Sequence, residues 1–280
     1  MQIPASSPPS PAPPTPLVQP LRPAVRRRHG TLRTVGALIL REMATTHTRS
    51  PGGWIWTVAE PVLTIALLSV AFSFAFVAPP LGSDFALFYA TGFLPFMLFL
   101  DVSQKVATAL RFSRPLLGFA SVTWADALIA RATVAVFTQV LISILVLGTL
   151  LTLARDASLP DPILAAHAYA MATALALGTG MLNAYLFPAF PALERIWGVV
   201  MRPMFIVSGV VFLLESVPHP LRGWLEWNPL FHVTGEMRAA FYAVYQPTYP
   251  DPILIYALSL ALMTLGALLL HRFHDEISQT

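Results

Sequence analysis

Long apolar runs separated by short polar stretches dominate the pattern of this 280-residue chain. A membrane-spanning helix needs about 20 mostly apolar residues, and six runs approach that length. They cover residues 55–77, 85–100, 132–153, 163–187, 196–214 and 253–270. The second run is short and contains Pro95, and Arg202 with Pro203 interrupts the fifth. The pattern predicts an all-α polytopic membrane protein with six transmembrane helices.

Two further segments are neither membrane spans nor ordinary polar loops. Residues 31–50 carry apolar side chains at spacings of three and four, namely Leu32, Val35, Leu38, Ile39 and Met43. This spacing predicts an amphipathic helix lying in the membrane interface. Residues 215–250 are too charged to span a membrane and too aromatic for a solvated loop. They predict short re-entrant helices on the outer side, with Trp224 and Trp227 at the interface.

Composition supports the membrane assignment and divides the chain into segments. The chain is 56% hydrophobic and 11% charged, whereas soluble domains are about 25% charged. It has no cysteine, which excludes disulfides and thiolate metal sites. Residues 1–23 contain nine prolines, so we predict that residues 1–30 are a disordered tail. The expected order is this tail, an interface helix at 31–50, a six-helix domain at 51–270 and a C-terminal tail at 271–280.

The distribution of basic residues predicts the orientation in the membrane. Most arginines precede the first run or lie between the second and third, between the fourth and fifth, or after the sixth. The opposite side has only Arg155, Arg222 and Arg238. Because basic residues concentrate in cytoplasmic segments, we expect both termini in the cytoplasm of a multi-pass protein.

The sequence lacks the local motifs of common catalytic sites. Lys105 is the single lysine, and no Gly-rich loop ending in Gly-Lys-Ser/Thr occurs, so the chain does not hydrolyse ATP by a P-loop mechanism. Zinc-peptidase and serine-hydrolase motifs are also missing. We predict that the chain is not an enzyme and has no cofactor, metal or nucleic acid of its own. His167, in the fourth run, is a candidate functional group, although its place near the end of the run also suits an interfacial residue.

Glu60 and Pro61 stand near the start of the first run, where a carboxylate and a helix breaker are unexpected. A carboxylate about 7 Å into a span costs a few kcal/mol unless it is paired or hydrated. Pro61 disfavours helical geometry at Glu60. One interpretation is an articulated elbow with a broken membrane helix. Another is that the membrane helix begins at Glu60, with proline in its first turn, and the two are compatible.

The stretch R-E-M-A-T-T-H-T-R-S-P-G-G-W-I-W-T-V-A-E-P resembles the N-terminal motif of ABC-2 type permeases that export polysaccharides. The matching positions are Arg41, Glu42, Gly53, Trp54, Trp56, Glu60 and Pro61. Further matches are F-P-A-L-E-R-I-W ending at Trp197, R-P-M-F-I-V-S-G at 202–209, and W-N-P-L-F-H, which contains Trp227, Asn228, Pro229 and His232. The resemblance extends from about residue 31 to the C-terminus. The chain departs from the motif at residues 46–48, which leaves open any specific contact made there.

The resemblance implies an ABC-2 (type V exporter-like) permease that works as a homodimer with two copies of a separate ATPase, which binds ATP and Mg. It also implies that the ATPase contacts the loops at residues 101–121 and 188–197. The predicted coupling residues are Lys105, Arg111, Arg114, Glu194 and Arg195. The predicted interface-helix and gate residues are Arg41, Glu42, Trp54, Trp56, Glu60 and Pro61. The outer re-entrant residues are Trp227, Asn228, Pro229 and His232.

Aromatic residues of the first two runs are candidates for lining a conduit, since sugar polymers are handled by aromatic faces and hydrogen bonds. They are Phe72, Phe76, Phe88, Tyr89, Phe93 and Phe96. The alternative for each of them is ordinary packing against helices or lipid.

The resemblance implies export of capsular or related polysaccharide across the bacterial inner membrane, and we expect this substrate to be linked to a lipid. Periplasmic and outer-membrane export proteins are further expected partners. An O-antigen or teichoic-acid exporter of the same fold, and an ABC-2 exporter of drugs or lipids, remain as alternatives. An intramembrane enzyme would need polar residues that converge inside several spans, and these spans have few.

Overall fold

The computed structural model describes residues 30–48, 53–117, 122–154 and 159–279, with side chains at 33–44, 55–115, 122–154 and 159–273. Every regular element in these residues is helical, which confirms the predicted all-α class. The helices are α1 Gly30–Thr48, α2 Gly53–Ser73, α3 Phe85–Ala107, α4 Ala109–Leu117, α5 Trp124–Leu153, α6 Pro162–Ala189, α7 Pro191–Val207, a 3-10 helix Leu214–Ser216, α8 His219–Leu225, α9 Pro229–Phe241 and α10 Pro252–Gln279. The tail predicted at 1–30 lies outside the described residues, apart from Gly30.

Five helices of the described chain are long and apolar enough to cross a membrane. They are Ile55–Ser73, Phe85–Ala107, Trp124–Leu153, Pro162–Ala189 and Pro252–Phe273. They correspond to the first four predicted runs and the sixth. The fifth predicted run falls on α7, which has 17 residues and ends at Val207, before irregular backbone at residues 208–213.

Several predicted boundaries were wrong because charged residues end an apolar run without ending a helix. α3 continues past Leu100 to Ala107, with Asp101 and Lys105 paired at 2.8 Å one turn apart. The expected loop at 101–121 is therefore helical as far as Leu117. α5 begins at Trp124, eight residues before the predicted span, because Thr123 and Asp126 form a capping box there. The expected C-terminal tail is helical up to Gln279.

α2 passes through Pro61 without a break. The helix begins at Gly53 and Pro61 lies inside it, so both interpretations of the sequence, a broken helix and a helix starting at Glu60, were wrong. Proline in a helix interior loses a backbone hydrogen bond, but the buried Pro61 ring packs inside the protein. Thr64 Oγ1 donates to the Glu60 carbonyl at 2.8 Å in the next turn. The S-P-G-G turn expected at residues 50–53 lies outside the described residues except for Gly53, which begins α2.

α6 lies at the centre of the bundle and packs against α3, α9 and α10. Glycines allow this close approach. A Cβ on Gly178 would lie 2.6 Å from the Ser259 carbonyl oxygen of α10, and one on Gly180 would lie 2.8 Å from the Ser103 carbonyl oxygen of α3. Small residues at such contacts are typical of helix packing in membranes.

α2 lies at the edge of the bundle, where its main neighbour is α3. Only 11% of its most apolar stretch is buried, compared with 72% of the corresponding stretch of α3. α1 packs mainly against α5 rather than α2. Most of the α2 surface is therefore left uncovered by the described residues, where lipid or another protein can contact it.

The bundle has two ends. The α1 end comprises α1, α4 and the turn at Phe190 between α6 and α7, and the Arg111–Glu194 pair joins α4 to α7 there. The α9 end comprises residues 74–84, residues 159–161, α8, α9 and residues 242–251. At that end the Asp161 N–H donates to the Ala240 carbonyl at 2.8 Å.

Candidate functional site: a junction between two sequence motifs

The backbone after α7 is irregular, and its carbonyl groups need hydrogen-bond donors from elsewhere. Residues 208–213 separate α7 from the 3-10 helix. Side chains of the α9 segment supply the donors: Asn228 Nδ2 to Val207 O at 2.8 Å, Thr234 Oγ1 to Ser208 O at 3.0 Å, Arg238 Nη2 to Val210 O at 3.0 Å and Arg238 Nη1 to Phe212 O at 3.0 Å. We call Asn228, Thr234 and Arg238 the carbonyl clamp. It satisfies non-helical backbone that a membrane interior would not hydrate.

Arg238 is the largest fully buried side chain of the described structure. Its guanidinium lies 4.2 Å from the centroid of the Phe88 ring, a cation–π arrangement. Burial lowers the pKa of Arg238 to about 10, and nearby tyrosines and Glu215 partly oppose this shift. The side chain is thus still charged at neutral pH. The sequence analysis counted Arg238 among the outer-side arginines and did not predict its burial.

Gly209 lets the chain turn at the end of α7. Its φ of 75° is in the left-handed region that favours glycine. A Cβ at this position would lie 2.4 Å from Cε1 of Phe231, so the α9 ring packs directly on the glycine. Close contact and backbone conformation both require a residue without a side chain here.

The W-N-P-L-F-H motif starts α9 and joins it to α7. The Asn228 side chain caps α9 by accepting the Leu230 N–H at 3.1 Å, while its amide group belongs to the clamp. Pro229 takes the first helical position, where its missing N–H costs nothing. The structure therefore joins two motifs that are separate in sequence, residues 202–209 and 227–232.

His232 connects α8 to the start of α10. Its Nδ1 accepts the Asp251 N–H at 2.9 Å, and its Nε2 lies 2.9 Å from the Glu226 carbonyl. Because Nδ1 is an acceptor, the ring proton is on Nε2, which donates to that carbonyl. A cavity of about 450 Å³ opens beside His232, and Trp227 at its edge is 79% exposed.

His167, a candidate from the sequence, pairs with Glu236 of α9. Its Nδ1 lies 2.9 Å from Glu236 Oε1, and the imidazole is about one third exposed. The ring also meets Tyr256 of α10 edge-on at 5.8 Å. These contacts tie α6 and α10 to α9, which gives His167 a structural role at the α9 end.

The two predicted coupling segments meet at the α1 end. Arg111 of α4 and Glu194 of α7 form a bidentate pair, with Nη1–Oε1 at 3.1 Å and Nη2–Oε2 at 2.7 Å. The hydrogen bond to Glu194 raises the pKa of Arg111. Arg114 and Arg195, which are close in sequence to Arg111 and Glu194, are exposed. Lys105 is instead paired with Asp101 within α3.

The residues predicted for the interface helix and gate are in different environments. Glu42 lies 3.6 Å from Arg131 of α5, whose guanidinium is 4.1 Å from the Phe112 ring centroid. α1 is therefore attached to α5 and α4. Arg41 is exposed.

The remaining gate residues lie on α2. Trp56 and Glu60 are exposed, and Pro61 is buried. The side chain of Trp54 is outside the described residues.

Four of the six predicted conduit aromatics are buried within the protomer. Phe88, Tyr89, Phe93 and Phe96 are at most 5% exposed, whereas Phe72 is half-buried and Phe76 exposed. The four buried rings belong to the packing around α3, so a polymer does not reach them in this conformation. A conduit role for the six residues stays a prediction.

Sequence reasoning missed the clamp residues Thr234 and Arg238 and the packing of Phe231 on Gly209. Ser208 and Gly209 close the R-P-M-F-I-V-S-G motif, so a turn at its end was detectable. The partners are more than 20 residues away, and no local pattern connects them.

The chain is similar to transport proteins over most of its length. The family model described as ABC-2 type transporter matches residues 33–242. The polysialic acid transport protein KpsM of Escherichia coli is 25% identical over 207 residues, which cover 74% of this chain and 80% of that protein. The capsule polysaccharide export inner-membrane proteins CtrC of Neisseria meningitidis and BexB of Haemophilus influenzae are each 22% identical over 245 residues, 88% of this chain and 92% of theirs.

Proposed function

The chain belongs to the ABC-2 type transporter family, and we propose that it is the permease subunit of an exporter of capsular or related polysaccharide. This membership confirms the resemblance found in the sequence. The observation that carries the proposal is the extent of the similarity, since capsule export proteins match over 88% of this chain and 92% of their own length. The proposed location is the bacterial inner membrane.

A separate ATPase supplies the energy in this proposal and binds ATP and Mg, because the sequence contains no P-loop. The proposed docking surface is at the α1 end, where the Arg111–Glu194 pair joins α4 to α7. A push on either segment is transmitted to the other through this pair. Arg114 and Arg195 flank it and are exposed.

We place the α1 end in the cytoplasm, with both termini, because it is the arginine-rich end. α6 finishes at the α1 end and α10 starts at the α9 end, so the intervening chain must cross the membrane once more. α7 and residues 208–213 make this sixth crossing, and α8 and α9 form the outer re-entrant hairpin. α9 is almost entirely buried in protein, as such a segment requires.

The assembly we propose has two copies of this permease and two ATPase subunits, with the polysaccharide passing between the permeases while linked to a lipid. The exposed α2 surface suits contact with a second copy. Periplasmic and outer-membrane export proteins would receive the polymer beyond the α9 end.

Deletion of the gene in its own host, followed by glycan staining and cell fractionation, tests the function. Loss of surface polysaccharide with accumulation inside the cell is the expected result, and the wild-type gene on a plasmid should reverse it. Unchanged surface glycan would refute polysaccharide export and favour an exporter of small molecules or lipids. Loss of O-antigen or teichoic acid with intact capsule would reassign the polymer.

A further inference from the structure

Two charged side chains project from the surface of helices that cross the membrane. Glu60 of α2 and Arg202 of α7 are both exposed. Neither side chain makes a hydrogen bond or ion pair within the described protomer. Ionisable groups at membrane depth are costly, and they almost always face a protein interior or water and pair with one another. Both groups therefore lack a partner among the described residues of the protomer, and a second protein surface can supply one.

The depth of Glu60 follows from the contact between α2 and α3. The Phe72 ring lies 5.3 Å from the Tyr89 ring, so these residues are at the same level of two antiparallel helices. Glu60 lies 12 residues before Phe72 on α2, and Asp101 lies 12 residues after Tyr89 on α3. Because the two helices are antiparallel, Glu60 is level with Asp101. The carboxylate is therefore in the half of the membrane nearer the α1 end.

The depth of Arg202 follows from the contact between α7 and α3. The Phe205 ring lies 5.7 Å and 5.8 Å from the rings of Phe93 and Phe96. Arg202 is one turn nearer the α1 end, which puts it level with Leu98. Leu98 and Asp101 are three residues apart on α3, so the levels of Arg202 and Glu60 differ by ~5 Å at 1.5 Å per residue. Two long side chains cover that difference.

We propose that Glu60 of each protomer forms an ion pair with Arg202 of a second copy of this chain, within the membrane. This inference rests on the proposed homodimer and names the residues that hold it together. A two-fold axis along the membrane normal keeps every residue at its depth, so it makes two equivalent pairs.

Charge complementarity favours a second copy over lipid as the occupant of this surface. An anionic lipid would neutralise Arg202 but repel Glu60. A second copy presents both signs at matching depth and neutralises both groups. Apolar side chains surround the two charges, with Leu63 and Leu67 exposed on α2 and Val199 and Ile206 exposed on α7. Such a surface excludes water around the pair and strengthens it.

Cross-linking tests the pairing directly, because the chain has no cysteine and each introduced thiol is unique. Glu60→Cys and Arg202→Cys are made in two differently tagged copies that are expressed together. An ion pair holds Cα atoms farther apart than the about 7 Å that a disulfide spans, so a bifunctional thiol reagent is used in membranes. We expect a covalent dimer that carries both tags.

Glu60→Cys with Ile129→Cys is the matched control, since Ile129 is exposed on α5, away from α2 and α7. This pair should give little two-tag product. An absent two-tag product for residues 60 and 202, or one no more abundant than in the control, would overturn the proposal.

Charge exchange adds a functional readout. Glu60→Arg or Arg202→Glu alone should lower surface polysaccharide about tenfold, and the two together should restore it, because the exchanged pair keeps its attraction. A double variant as defective as the single ones would contradict the pairing. If the cross-links form specifically but deletion of the gene leaves surface glycan unchanged, the ion pair is supported and polysaccharide export is refuted. Lost glycan without cross-links would refute the pair alone.

Discussion

Replacement of Gly209 by alanine tests whether α7 ends where it does because α9 packs on a glycine. Alanine in the left-handed region costs about 1–2 kcal/mol, and Gly209 has a φ of 75°. The new Cβ would also lie 2.4 Å and 2.6 Å from two atoms of the buried Phe231 ring. Overpacking of this kind costs about 1–3 kcal/mol. The free energy of unfolding should therefore fall by ~2–5 kcal/mol for Gly209→Ala.

Titration with SDS in mixed micelles measures this change in the free energy of unfolding. Gly198→Ala is the matched control, because Gly198 lies inside α7 with no atom within 4 Å of an added Cβ. Alanine should stabilise the helix there by about 0.5–1 kcal/mol.

A double-mutant cycle with Phe231 separates the steric cost from the backbone cost. Phe231→Leu removes the ring atoms that meet the new Cβ, so it should cost less in the Gly209→Ala background, with a coupling of about 1 kcal/mol or more. Unchanged stability of Gly209→Ala to within about 0.5 kcal/mol, or the absence of coupling, would refute the argument.

Two further predictions concern the clamp and the α1 end. Asn228→Asp keeps the oxygen that caps α9 but loses the donor to the Val207 carbonyl, so it should lower the free energy of unfolding by about 1–3 kcal/mol in the same titration. Asn228→Ala also loses the cap and should cost about 1 kcal/mol more. Wild-type stability of the aspartate variant would disprove the clamp. Arg111→Glu, which breaks the exposed pair with Glu194, should change stability by less than about 1 kcal/mol but reduce co-purification of the ATPase. Exchange of both charges should restore co-purification, and failure to do so would show that the pair does not organise the docking surface.

The sequence predicted the helices better than their ends. Hydrophobic runs identified five of the membrane-crossing helices because burial in lipid requires long apolar segments whatever the tertiary structure. The ends were misplaced where capping or ion pairing extends a helix beyond its apolar part, as at Lys105 and Thr123. Pro61 was misjudged because local propensity disfavours proline within a helix, whereas the buried ring contributes to packing.

The candidate site was only partly predictable. The motifs around Gly209 and Asn228 were found in the sequence, but their contact was not, because more than ten residues separate them. Arg238 illustrates the difference most clearly. Counted along the chain it is one more outer arginine, yet in the fold it is buried and binds two carbonyl groups.

Composition and periodicity thus determined that this chain is a helical membrane protein. Its motifs determined that it lacks a P-loop and which family it resembles. Each of these depends on local residue pattern. The tertiary structure decided which polar groups are satisfied. It buries Arg238, pairs Arg111 with Glu194, and leaves Glu60 and Arg202 exposed at similar depth. The physical reason is that hydrogen bonds and ion pairs between distant segments depend on three-dimensional proximity, which hydrophobic patterning does not encode.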